Sequence, residues 1–187
     1  MNTFTLLFVT ALACSVLTQL WLSRRHQAHV RAHRERVPDA FAGRIPLDDH
    51  HKAADYTVTR NRLGMIELVY GSALLLAWTL GGGLEWLDQA WRGLALGPLY
   101  TGTAVMLSAM FIMSLLDLPY SLYNTFVIEE RFGFNRTTPG TYISDLVKQV
   151  LLALAIGAPM ILLALWIMES SGELWWLYVW LAWMSFS

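Results

Sequence analysis

The sequence predicts an all-α protein: a polytopic membrane helical bundle with four complete transmembrane helices, the start of a fifth, and its N-terminus outside. Three observations predict it. Charge is scarce, the charges that exist are clustered, and the tryptophans gather at one membrane boundary. Of 187 residues, 56% are hydrophobic and only 14% are charged, where soluble domains carry roughly 25% charged residues. Met1 to Ser23 holds no charge; 17 uncharged positions separate Glu67 from Glu85, 24 separate Arg92 from Asp117 and 20 separate Lys148 from Glu169; Leu174 to Ser187 is uncharged again. A helix needs about 20 apolar residues to cross a bilayer. The spans therefore read as about 3–22, 64–84, 97–118, 147–168 and 174–187, with polar loops at 23–62 and 119–146.

Orientation follows from the basic residues. Nine of the 13 Lys and Arg lie between residues 24 and 62, which places that loop in the cytoplasm. The segment between the second and third spans carries Arg92 against Glu85 and Asp88, which suits the outer side. The 119–146 loop, with Arg131 and Arg136, returns to the cytoplasm, and the turn at Glu169–Glu173 has no basic residue. Trp86, Trp91, Trp166, Trp175 and Trp176 all fall near the predicted outer boundary, as an interfacial aromatic belt should. The net charge of −1 says less than this distribution.

Each element can be justified in order. The first apolar run has no basic residue before it and several after it, so it reads as a retained span and not as a cleaved leader, although ALACS at 11–15 loosely mimics a processing site. Cys14, the sole cysteine, lies inside this span and permits neither a disulfide framework nor a cysteine-based metal site. RRHQAHVRAHRER continues the helix until Pro38, Gly43 and Pro46 interrupt it. A second helix begins near Leu47 and runs into the second span, which ends at Gly81-Gly82-Gly83. An outer loop is expected over 84–96. The third span starts near Pro98, and at Pro119 the missing N–H predicts a kink or a restart. Gly133 is the expected C-terminal stop. Thr138-Pro139 reads as an N-cap followed by proline at the first helical position. The helix that follows should reach Met168, with Gly157 and Pro159 bending it.

Candidate site residues are few. Glu67, near the inner start of the second span, is either a cavity-lining acid or an interfacial carboxylate paired with Arg60 or Arg62. Asp117 is a second cavity-lining candidate, or a cap for the helix restarting at Pro119. His26, His29 and His33 share one helical face, but among arginines that face suits lipid headgroups better than a metal. The adjacent His50 and His51 diverge on a helix. Glu129 and Glu130 point about 100° apart and so do not form an acid–base pair facing one substrate. A charged hinge, with one of them held by Arg131, Arg136 or Lys148, is the expectation. Gly93 and Gly97 lie too far outside an apolar span to act as a packing motif. The chain contains no HExxH, no phosphate-gripping glycine loop and no Ser-His-Asp arrangement.

The stretch DLPYSLYNTFVIEERFGFNRTTPGTYISDLVKQVLL (117–152) resembles the signature of the N-terminal membrane region of the CAAX prenyl protease 1 (type I) family. KAADYTVTRNRLGMIEL (52–68) resembles that family's entry into its second span, and the resemblance runs over essentially the whole chain. It implies an integral-membrane zinc metalloprotease with seven spans around a water-filled chamber, its HExxH and a further Glu ligand carried after the fifth span. None of those metal-site residues maps onto this chain, so no catalytic residue and no metal ligand is assigned here. Pro119, Tyr123, Phe126, Glu129, Glu130, Gly133, Phe134 and Asn135 carry the signature, expected to form a cytoplasmic hinge that braces the protease domain. The chain is expected to stop inside its fifth span, to be inactive alone, and to form part of the chamber wall. Zinc belongs to the complete protein. The implied partners are membrane lipids, a missing C-terminal protease domain and a peptide or prenylated protein substrate, with no nucleic acid. The implied location is the endoplasmic reticulum in a eukaryote, or the inner or plasma membrane in a bacterium. The competing reading is a stand-alone helical scaffold or lipid-binding module.

Overall fold

The computed structural model describes residues 2–186, and the regular elements among them are all helical. α1 (Thr3–Ala32) has 30 residues, so it measures about 45 Å and outruns a hydrocarbon core of about 30 Å. Asn2 caps it, its side chain accepting from the Thr5 amide at 2.8 Å. Beyond Ala32 the chain turns at Pro38 into one short 3₁₀ turn, Asp39–Phe41. α2 (Leu47–Thr79) starts at the residue the sequence indicated and runs for 33 residues.

The segment expected as a loop over 84–96 is largely helical. Gly82 takes the left-handed conformation at φ 80°, and α3 (Gly83–Arg92) follows at once. Leu84, Leu87 and Trp91 share a face at helical spacing, and Leu87 is buried. On the polar side Gln89 donates to Glu85 at 2.8 Å, and Arg92 pairs with Asp88 four residues earlier. Acid in the first turn and base in the last also suit the helix dipole. Flanking glycines hid a short amphipathic helix.

α4 (Pro98–Phe132) spans 35 residues. It continues through Pro119 without the expected restart. A missing N–H is tolerated in a membrane helix where neighbouring helices, hydroxyl side chains or local π adjustments re-satisfy the freed carbonyl. The irregularity comes later, as a π-helical turn at Asn124–Glu129. α4 stops at Gly133 (φ 73°), where the Gly133 amide donates to Glu130 at 3.0 Å and the Phe134 amide to Glu129 at 2.8 Å. This double closure is the Schellman arrangement. α5 (Pro139–Ser170) has 32 residues. Thr138 caps it by accepting from the Thr141 amide at 3.2 Å, with Pro139 in the first turn. A second π-helical turn, Ala153–Gly157, lies just before Pro159. The register shift falls where the proline offers no amide. α6 (Trp175–Phe186) follows a 3₁₀ turn at Gly172–Leu174.

α1, α4 and α5 are each long and apolar enough to cross a membrane, and α2 qualifies when taken together with α3. Their large apolar side chains are mostly exposed; Phe4, for instance, is 75% exposed. In water that surface would drive aggregation, and in hydrocarbon it is solvated. The protein is an integral membrane protein. The chain divides into two compact units. One comprises residues up to Ala77 with Pro119–Arg136, and the other comprises Trp78–Leu118 with residues from Thr137 onward.

Candidate functional site

The first unit holds the polar chemistry. Its pairings run in opposite directions along the chain: Gln27 meets Asn61, and Arg34 meets Asp55. The end of α1 therefore lies antiparallel to the start of α2. Gln27 is 94% buried (6% exposed) yet satisfied, donating to Asn61 Oδ1 at 2.7 Å and accepting from Arg31 at 3.3 Å. Arg34 grips Asp55 with two parallel bonds of 2.9 Å each and also reaches Glu35 at 2.7 Å. This fork-to-fork geometry is the strongest form of the pair. Hydrogen bonding to Arg34 holds the Asp55 and Glu35 carboxyls below their usual range. His51 Nε2 lies 3.1 Å from Glu35 Oε2 but out of line for a hydrogen bond.

The signature segment packs on the same stretch of α2. Tyr120 Oη donates to the Leu63 carbonyl. Tyr56 receives Phe132 and Phe134 edge-on, with ring centroids 5.4 and 4.8 Å away. Lys52 Nζ lies 5.5 Å from the centre of the Phe134 ring. Ile128 and Phe132 are buried, so the hinge carries a small apolar core of its own.

The sequence-identified residues divide sharply. Of the signature residues Phe134 packs on Tyr56 of α2 and Gly133 lies beside Lys52, whereas Pro119 and Tyr123 are exposed. Among the described residues, however, Glu129 and Glu130 form no ion pair. Asn124 donates to Glu129 at 3.1 Å and Asn135 to Glu130 at 3.0 Å. Lys148 is occupied by Asp145, and Arg131 lies over the Phe132 ring. The expected ion pair is thus replaced by two carboxylate–amide contacts across the π turn and the C-cap. Glu67 is exposed in a shallow groove with Gly64, Gly71 and Ser72. Among the described residues it has no ion pair with Arg60 or Arg62, and Arg60 bonds Tyr56 Oη instead, at 3.0 Å. Asp117 is exposed and lies inside α4, so it caps nothing.

Sequence reading missed one feature. Arg31, Arg34 and Val30 from α1 and its end, Ala54, Asp55, Val58, Thr59 and Arg62 from α2, and Arg131 and Phe132 from the signature enclose a cavity of about 430 Å³. The density of arginine in 24–62 was its only advance signal. Among the described residues no group of three or more His, Cys, Asp or Glu could hold a metal. No set of the described residues therefore fits zinc.

A family model described as the CAAX prenyl protease N-terminal region, with five membrane helices, matches residues 26–187. This chain belongs to that family. The CAAX prenyl protease 1 homolog of Caenorhabditis elegans is 31% identical over 179 residues, covering 94% of this chain and 39% of its own length. The mouse homolog is 29% identical over 188 residues, with the same two coverages, 94% and 39%. CAAX prenyl protease 1 of Saccharomyces cerevisiae is 43% identical over 72 residues, 37% of this chain. The crystal structure of S. mikatae Ste24p superposes with a TM-score of 0.83 at 22% identity, covering 96% of this chain and 43% of that one. That likeness shows that the chain shares the fold of the corresponding part of Ste24p. The chain spans about two fifths of the length of the curated relatives it matches.

Proposed function

We propose that this chain forms the N-terminal membrane region of a zinc-dependent CAAX-type endopeptidase, part of the wall of an intramembrane chamber. The observation that carries the reading is the family match across 26–187. The names of the curated relatives support it, since each is a prenyl protease. In this reading four spans and the start of a fifth cross the membrane. The N-terminus lies outside, and 23–62 and 119–146 face the cytoplasm. The arginine distribution supports that orientation. The catalytic metal and its ligands belong to the protease domain of the complete protein, which takes a prenylated or other membrane-associated polypeptide. The membrane is that of the endoplasmic reticulum in a eukaryote and the plasma or inner membrane in a bacterium. The hinge at 119–135 braces the protease domain through its contacts with α2.

A chimera tests this. The 179-residue region of the C. elegans relative that aligns with this chain is replaced by the chain, and cleavage of a prenylated CAAX peptide is followed. The expected result is cleavage that a metal chelator abolishes. Glu129→Gln with Glu130→Gln in the chimera should lower its thermal stability by about 1 kcal/mol, or reduce cleavage, because each carboxylate holds an amide. A folded chimera that cleaves nothing would overturn the protease reading and leave a membrane scaffold. Unchanged cleavage and stability in the double variant would remove the bracing role alone.

A further inference from the structure

The geometry points to a phosphate-binding site in the arginine-lined cavity of the first unit. Four guanidinium groups line it, from Arg31, Arg34, Arg62 and Arg131, against a single carboxylate, Asp55. Arg31, Arg62 and Arg131 are solvent-exposed and Arg34 is half-buried, so it is not burial but the convergence of like charge on one cleft that attracts an anion. The four arginines are not equivalent. Arg34 is committed, since Asp55 occupies its fork at 2.9 Å and Glu35 takes a further N–H. Arg31 spends one N–H on Gln27 at 3.3 Å. Arg131 overlies Phe132 at 5.7 Å and makes no hydrogen bond among the described residues, although it lies within electrostatic reach of Asp55. Arg62 makes no side-chain hydrogen bond or ion pair among the described residues. Three guanidinium groups thus keep most of their donors, and they arrive from three different segments.

That arrangement suits a tetrahedral oxyanion. A carboxylate satisfies one guanidinium fork, and Asp55 already does so for Arg34. A phosphate presents several oxygens in different directions and can engage several arginines at once. Thr59 adds a hydroxyl on the wall, though it also donates to the Asp55 carbonyl at 2.8 Å. Val30, Ala54, Val58 and Phe132 supply apolar surface for the body of the molecule that carries the phosphate. A volume of about 430 Å³ lies within the roughly 300–1,000 Å³ typical of small-molecule sites. Arg62 directly precedes the apolar part of α2, so the cavity opens close to the membrane surface. A phosphomonoester lipid headgroup and a free soluble phosphate share the required chemistry. The site rests on the first unit alone and is independent of the proteolytic reading.

The test uses the whole chain in detergent micelles. One arm titrates inorganic phosphate. The other measures binding to nanodiscs containing phosphatidic acid against nanodiscs of phosphatidylcholine only. Arg62→Gln with Arg131→Gln removes the two least committed guanidinium groups and leaves the Arg34–Asp55 pair intact. It should weaken binding at least about tenfold, since a charge-assisted hydrogen bond is lost at each position, while helix content by circular dichroism stays the same. Arg24→Gln with Arg44→Gln removes the same charge outside the cavity and should leave binding within about twofold. Phosphatidic acid binding alone identifies a headgroup, and phosphate binding alone identifies a soluble ligand; either supports the site. No binding in either arm overturns it. Equal losses in the two double variants overturn it as well, because general basic attraction would then account for the binding.

Discussion

The two compact units are held together by different chemistry. In the first, side chains far apart in sequence make specific polar and aromatic contacts: Arg34 with Asp55, Gln27 with Asn61, Tyr56 with Phe132 and Phe134. In the second, hydroxyls bond back to their own helix, as Thr103 does to the Leu99 carbonyl at 2.9 Å. One long-range side-chain bond joins α3 to α4 there, from Trp91 Nε1 to Ser108 Oγ at 2.9 Å. The other polar pairs described in it, such as Arg92 with Asp88 and Lys148 with Asp145, stay within one helix, and Met106, Met160 and Trp183 surround an apolar cavity of about 310 Å³. The difference teaches where sequence constraint concentrates. Directional contacts demand particular residues at particular positions, whereas apolar contacts in a lipid-facing unit demand only size and hydrophobicity. The signature residues from Pro119 to Asn135 belong to the directional unit.

Two glycines sharpen that comparison. Gly133, in the first unit, sits at φ 73°, and an added Cβ would meet Lys52 Nζ at an unstrained 3.6 Å. Its constraint is conformational, so Gly133→Val forces a β-branched residue into the left-handed region. The expected loss is about 1–3 kcal/mol, the largest effect considered for a single residue. It would appear as a lower melting temperature in detergent, with α4 fraying beyond Phe132. A Val variant as stable as the wild type would show that the Schellman closure at Glu129 and Glu130 contributes nothing.

Gly102, in the second unit, is constrained differently. It lies within α4, and a Cβ there would come 3.1 Å from Leu165 Cδ1. That neighbour is the end of a flexible side chain. Gly102→Ala gains helix propensity of up to about 1 kcal/mol and loses something similar as Leu165 shifts. The net change should stay within about 0.5 kcal/mol of zero, well below that at Gly133. A loss as large as that at Gly133 would mean the apolar unit is packed as exactingly as the polar one, and the contrast between the units would fail.

What the sequence disclosed follows the same division. Gly133 as a stop and Thr138-Pro139 as a start were legible because cap chemistry is local, decided within a turn of helix. The runs of uncharged residues anticipated α1, α4 and α5, the three single helices long and apolar enough to cross a membrane. α3 was not, because Gly81 to Gly83 and Gly93 signal loop more strongly than three apolar residues signal helix. The continuity of α4 through Pro119 overrides a local rule, since the rest of the ladder is kept and a π turn follows at Asn124–Glu129. The partners of Glu129 and Glu130 were misassigned because charge suggested ion pairs where the π turn and C-cap bring amides within reach. Arg34 and Asp55 are 21 positions apart, and no spacing rule links them. The arginine cavity needs three segments at once and is visible only when folded.

The smallest effect concerns acid. Asp55 faces Arg34, His51 and Arg131, and Glu35 faces Arg34 and His51. Both carboxyls are held below their unfolded values, first by the hydrogen bonds from Arg34. A depressed folded-state value means the contribution to stability is present above the unfolded pKa, about 4 for a carboxyl. It is lost as the pH falls through the folded value. The side chains are half exposed or more, with Asp55 at 50% and Glu35 at 72%, so solvent and salt screen the gain. Melting temperatures of the wild type and of Asp55→Asn should differ slightly at pH 7 and low salt, with the wild type higher. That gap should begin to narrow as the pH falls below about 4 and shrink in 1 M salt. A gap that persists unchanged at pH 3 would mean that Asp55 stabilises the first unit by packing and not by its charge. The directional character claimed for that unit would then rest on Gln27 and the aromatic contacts alone.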